Sequence, residues 1–288
     1  MYESRQARQT IDPFMSFLPS TFGQRLRWWR AHRGQSQLAL AGAADTSQRH
    51  LSFLESGRAT PSRDMVLRLA AVLDVPLRQQ NALLLAAGFA PVWRESALSA
   101  PELKEVTSAL DFMLAQQEPY AAFVIDRRWN LLRANRGAVR MVDFLIGPPP
   151  KEPPPGPVNL ADALVSPAAL RPVIANWEEV ALYFLRGVQA DAAGDGTPAT
   201  AELLARLMTY PDVAALARAM PAEPHGPVLT IHFRKGETSL RLFTTIATLG
   251  TAHDVTLQEV RIECFFPSDA PTARLFAQWA SAAENPGS

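Results

Sequence analysis

The side chains best suited to bond-making chemistry are few and scattered. Five histidines, His32, His50, His225, His232 and His253, stand apart from one another, and none has a glutamate partner at the spacing of a metal site. There is no G-x-S-x-G turn to expose an activated serine and no Walker loop to cradle a phosphate. Cys264 is the only cysteine, so no internal disulfide can form and zinc sites built on two or four thiolates are excluded. Between Glu263 and Phe265 in an apolar run, it reads as a small buried hydrophobe. No catalytic residue, metal ligand or cofactor is expected, and the chain reads as a non-enzyme. What remains is the chemistry of recognition: polar and basic side chains near the N-terminus, and a store of aromatic and aliphatic ones after it.

The charge distribution follows the same division. Lys plus Arg and Asp plus Glu are 28 each in 288 residues, but residues 1–92 carry 11 basic against 6 acidic side chains, leaving 17 against 22 for the rest. A basic first part on an acidic body suits a protein of which only that part meets a polyanion such as DNA. With 48% hydrophobic and 19% charged residues, the chain can bury real cores, which excludes wholesale disorder, and its length suggests about two domains. The longest uncharged stretch, Gln79 to Trp93, is too short and polar to span a bilayer. Residues 1–20 form a segment expected to be flexible, with no apolar signal region. No membrane contact and a cytoplasmic address are the expectation.

The elements that must position the polar residues are short helices. Over 21–92, Phe22, Leu26 and Trp29 recur at helical spacing; Ser36, Ser47 and Ser62 are placed to cap three further helices, and Gly88 to stop a fifth. The second domain, 101–282, reads as a helix from Glu102 to Ala115, strands at Ala121 to Asp126 and Asn130 to Ala134, and a helix capped by Asn135 that runs to Ile146. A proline-rich loop follows over 147–157. Helical patterns then run from Leu160 to Ala190 and from Ala201 to Met220. Three strands, Val228 to Arg234, Ser239 to Leu249 and Thr256 to Phe266, complete a five-stranded antiparallel sheet with helices over one face. The fold class expected is an all-α helix-turn-helix bundle followed by an α+β domain.

The string RGQSQLALAGAADTSQRHLSFLESGRATPSRDMVLRLAAVLDVP, beginning at Arg33, resembles the helix-turn-helix of the Xre/Cro family of bacterial and phage repressors. The resemblance implies that the third helix enters the major groove of duplex DNA with its N-terminal residues foremost. Gln48, Arg49, Ser52 and Phe53 then point outward: Arg49 suits guanine O6 and N7, Gln48 suits adenine N6 and N7, and Phe53 suits a thymine methyl. Ser47 caps that helix and is placed to touch DNA as well. In related repressors the glutamine matching Gln37 and the polar residues matching Ser56 and Arg58 hold phosphates. The family arginine and glutamate at Arg30 and Glu55 form a partly buried ion pair that braces the helix. Asp45 stands where the family has glycine in the turn. Because one such helix reads only a few base pairs, a homodimer on a near-palindromic operator is expected.

The strings RQQNALLLAAGFAP, PYAAFVIDRRWNLLRANRGAVRMV and NWEEVALYFLRGV resemble the MmyB-like class of these regulators, whose C-terminal domain is a PAS-like ligand-binding fold. Ala134 replaces the tryptophan usual before Asn135, and the proline-rich insert is unusual. The resemblance implies a small apolar ligand, a fatty acid among the candidates. Strand alternation and aromatic content nominate Tyr120, Phe123, Trp129, Trp177, Tyr183, Phe184, Ile231, His232, Arg241 and Ile262 as its surroundings, with Tyr120, Trp129, His232 and Arg241 as partners for a carboxylate head. His232 and Arg241 could equally face solvent. The alternative is a C-terminal domain that serves only dimerisation or binding of a partner protein.

Overall fold

The computed structural model describes residues 21–148, 156–195, 197–219 and 227–284. The segment expected to be flexible, 1–20, and most of the proline-rich loop, 149–155, lie outside the described residues.

Five helices form the first bundle: α1 (Phe22–His32), α2 (Gln37–Ala43), α3 (Gln48–Glu55), α4 (Arg63–Val72) and α5 (Leu77–Ala86). Each of the first four opens on a hydroxyl cap. The side chains of Thr21, Ser36, Ser47 and Ser62 accept hydrogen bonds from the backbone N–H of Gln24, Ala39, His50 and Met65. Caps of this kind contribute about 1 kcal/mol each. Asp45 takes the left-handed turn conformation, φ 49°, before α3, and Gly88 does the same after α5. Leu26, Trp29, Leu40, Leu51, Leu54, Leu69, Leu73 and Leu84 meet in one core. Gly23 lets α1 close on α3: a Cβ there would lie 2.4 Å from the Leu54 carbonyl oxygen.

The second region is a five-stranded antiparallel sheet, ordered β2 (Leu131–Ala134), β1 (Ala122–Ile125), β5 (Arg261–Pro267), β4 (Thr238–Thr248), β3 (Ile231–Lys235). Its inner face is covered by α7 (Arg136–Ile146), α8 (Leu160–Val165), α9 (Trp177–Asp195), α10 (Pro198–Leu207), α11 (Val213–Leu216) and α13 (Ala270–Glu284), which share the larger core with Phe123, Ile125, Leu240, Leu242 and Phe265. Asn135 joins three elements: its Oδ1 accepts from the N–H groups of Ala122 and Ala138, and its Nδ2 donates to the carbonyls of Tyr120 and Leu114.

Three expectations about this region are corrected. Helices do not lie on one face alone, because α6 (Lys104–Gln116) packs Leu110 and Leu114 against Ala122, Val124 and Ile262 on the other face. The start of the expected last strand is instead the short helix α12 (Val255–Glu259), which Asp254 nucleates by accepting from the N–H groups of Thr256 and Leu257. The two long helical runs are broken near Pro167, Pro172 and Pro211, since a proline inside a helix removes a hydrogen bond and clashes with the preceding turn. The helix α13 was not among the expected elements. Among the described residues, no helix is long and apolar enough to cross a membrane.

Candidate DNA-reading face and ligand site

The reading face is built outward from the buried side of α3. Leu51 and Leu54 are fully buried, and this fixes the rotation of the helix, so that Gln48 and Arg49 stand exposed at its N-terminal end. Ser52 and Phe53 are half-buried on the adjoining surface, while Ser47, Ser56 and Arg58 are exposed around it. The guanidinium groups of Arg49 and Arg58 lie 5.4 and 5.8 Å from the centre of the Phe53 ring, so this aromatic side chain aligns two cations. Ser56 turns its hydroxyl to the Phe53 carbonyl.

Beneath this face lies a charged brace. Glu55, with only 4% of its side chain exposed, accepts from Arg30 Nε at 2.5 Å and Arg30 Nη2 at 3.0 Å. Arg30 Nη1 also donates to the carbonyl of Gln35 at 2.9 Å. The hydrogen bond to Glu55 holds the Arg30 guanidinium more firmly protonated than usual. The third partner is Gln37, whose Nε2 donates to Glu55 Oε2 at 2.8 Å. That bond uses one of the two amide hydrogens and leaves the other, together with the amide oxygen, for an outside partner. The ion pair matches the expectation, whereas the tie between Gln37 and the brace has no local signal in the sequence.

The ten residues nominated for the ligand do not gather round one space. Tyr120, Phe123, Trp129, Trp177, Phe184 and Ile231 pack on the inner side of the sheet. Within this group, the rings of Trp129 and Phe184 meet at 4.5 Å, and Trp177 donates its indole N–H to the Leu164 carbonyl. Four are placed elsewhere. Tyr183 is 70% exposed on α9. His232 and Arg241 pair across β3 and β4 on the outer face, because their neighbours Ile231, Phe233, Leu240 and Leu242 take the inner positions. Ile262 is buried under α6. The alternation of β5 is thus opposite to the expected one: Val260, Ile262 and Cys264 belong to the outer cluster, and Arg261, Glu263 and Phe265 point inward.

This alternation exposes a polar group that the sequence reading missed. Arg261 makes a two-pronged ion pair with Asp191 of α9, at 2.6 and 2.8 Å, and lies 6.0 Å from the centre of the Trp129 ring. Glu263 is half-buried among packed groups, and burial pushes its carboxyl up to about 7 against the opposing pull of the Thr244 hydroxyl and Arg261. The Trp129 indole N–H is buried and has no hydrogen-bond partner.

The two regions meet at a charged junction. Arg78 of α5 bonds Glu259 of α12 at 2.7 and 3.0 Å and also bonds Glu95, while Arg127 reaches Glu259 at 3.2 Å. The Leu77 N–H donates to Gln258 at 2.7 Å. A cleft of about 380 Å³ opens here, lined by Arg78, Glu95, Asp126, Arg127, Arg128 and Glu259 among others. The linker itself is tied down: Asn81 Oδ1 accepts from the N–H groups of Val92 and Trp93, and Asp254 Oδ2 accepts from the Ser96 N–H.

A capped, outward-facing second helix of a tight helical pair, joined to an α+β domain, defines a DNA-binding transcription regulator with a sensory domain. Residues 106–278, more than half of the chain, match the family described as the MmyB-like transcription regulator ligand binding domain, and residues 21–83 match a helix-turn-helix domain. The chain belongs to the MmyB-like transcription regulators. No match is found among the curated proteins.

Proposed function

We propose that the protein binds a near-palindromic operator as a homodimer, with Gln48 and Arg49 reading base edges, and that an apolar ligand of the fatty-acid kind in the second domain alters the spacing of the two reading helices. The observation that carries the reading is the exposure of these two side chains at the first turn of α3, over a core that leaves the helix no freedom to rotate. Ser47, Ser52 and Phe53 flank them; Gln37, Ser56 and Arg58 are assigned to phosphates. The ligand is assigned to the inner side of the sheet, against Phe123, Trp129 and Phe184, and its effect is assigned to the junction. Arg127 of the junction and Trp129 of the inner layer are two residues apart on one turn, and Glu259 and Arg261 are two apart on the neighbouring segment.

The test is quantitative DNA binding after selection of a preferred sequence from a random pool. Arg49→Ala is expected to relax preference at one or two base pairs by about 1 to 3 kcal/mol. Gln37→Ala is expected to weaken all sequences alike. Affinity should fall with salt on logarithmic axes at a slope of about 0.9 per phosphate neutralised. Equal effects from the two variants, or no salt dependence, would remove the assignment. For the ligand, mass spectrometry of the extracted protein should find a co-purifying amphiphile.

A further inference from the structure

Two cavities flank the connector between the domains, and Ser96 lines both. In the cleft of the charged junction, the cations Arg78 and Arg127 are already held by Glu95 and Glu259. The cavity on the other side of the connector has a volume of about 450 Å³, within the range of small-molecule sites, which favour the seams between domains. Leu103 and Val106 at the start of α6, Leu249 after β4 and Leu257 of α12 give it an apolar wall, with Leu103 and Leu257 buried. Arg94 and Glu102 line it as well, both of them exposed. Among the described residues, neither of these two side chains has a hydrogen-bond or ion-pair partner, and they do not pair with each other. The other carboxylate of the lining, Asp254, is buried and turned to the main chain, where it accepts from the N–H groups of Ser96, Thr256 and Leu257. The exposed imidazole of His253, its ring 6.2 Å from that of Trp93, completes the polar side.

We propose that this cavity is a second ligand site, for a small zwitterion with an apolar body, which is the chemistry of an apolar amino acid. The proposal is independent of the apolar ligand assigned to the inner side of the sheet. Arg94 receives the carboxylate, Glu102 the ammonium, and the leucine and valine wall the side chain. One unpartnered charge of each sign beside an apolar wall is matched by a molecule that carries both. A plain carboxylate satisfies Arg94 but meets the like charges of Glu102 and Asp254, and a plain amine satisfies Glu102 but faces Arg94. A zwitterion without a side chain leaves the wall wet. The occupant bears on the connector itself, since the Arg94 carbonyl accepts from the Val255 N–H and Asn81 of α5 donates to the Trp93 carbonyl.

The experiment uses the full chain and calorimetry near neutral pH and at low salt. The probes are leucine, phenylalanine and glycine, with 4-methylpentanoate and 3-methylbutylamine as leucine without its ammonium and without its carboxylate. Leucine or phenylalanine is expected to bind, and leucine about fivefold or more tightly than glycine or either single-charge analogue. Arg94→Gln should remove the advantage of leucine over 3-methylbutylamine, and Glu102→Gln its advantage over 4-methylpentanoate; both positions are exposed, so the fold tolerates them. Binding of 4-methylpentanoate or of 3-methylbutylamine as tight as that of leucine, leucine affinity unchanged in both variants, or no binding of either apolar amino acid would overturn the proposal. None of these outcomes touches the DNA-reading face or the inner-face assignment, which have their own tests.

Discussion

The bundle and the α+β domain use their cores in opposite ways. In the bundle, Leu51 and Leu54 of α3 are turned inward so that the polar side chains and Phe53 can be presented to a partner much larger than the domain. In the α+β domain the inward positions themselves carry Arg261 and Glu263, next to Phe123, Phe265 and Trp129. A surface that reads a polymer needs rigidity behind it, and a site that receives a small molecule needs polar groups inside it. The first rests on apolar packing with one buried ion pair beneath it, Arg30 with Glu55, whereas the second retains Glu263, whose ionised carboxyl opposes folding.

Three substitutions test that contrast. The largest effect is expected for Glu55→Ala, which strands the half-buried guanidinium of Arg30 and frees Gln37; the bundle should lose about 3 to 5 kcal/mol in denaturant unfolding. A smaller loss would mean that the brace is solvated and that the reading face is held by packing alone. Gly23→Ala comes next. Its new methyl would press on the backbone carbonyls of Leu54 and Glu55, and a cost of about 1 to 3 kcal/mol is expected, together with lower affinity for every DNA sequence as α3 is pushed away from α1.

The smallest effect, and the one that separates the two regions, concerns pH. The carboxyl of Glu263 is raised from 4.5 to about 7 on folding, so the folded protein binds more protons than the unfolded chain between those values. Its contribution is complete below about pH 4.5 and is lost as pH rises through about 7. Glu263→Gln should therefore gain stability relative to the unmodified chain at alkaline pH and should gain none at acid pH. Urea unfolding at both ends of this window measures it. A difference that does not depend on pH would place Glu263 in open water.

The bundle was largely legible because its signals are local. Ser36, Ser47 and Ser62 cap where their types predict, Asp45 and Gly88 take left-handed turns, and Arg30 meets Glu55 as the repressor resemblance implies. In the second domain Asn135 and the first two strands followed the same logic. The alternation of β5 did not, because this central strand is covered on both sides. Its two faces, Ile262 with Cys264 and Arg261 with Phe265, are each part apolar, and hydropathy alone does not rank them. The junction was not visible either. Arg78 and Glu259 are separated by 181 residues, and nothing near either one marks the other.

Asp254 has a consequence for how a signal would travel. One oxygen opens α12 and the other takes a main-chain N–H from the linker, while Val255 donates to the Arg94 carbonyl. A connector pinned to α12 by this carboxylate and to α5 by Asn81 is poorly suited to act as a swivel. On the proposed reading, a message from an occupied second domain would reach the DNA-binding half as a tilt of linked pieces and not as a gain in slack between them.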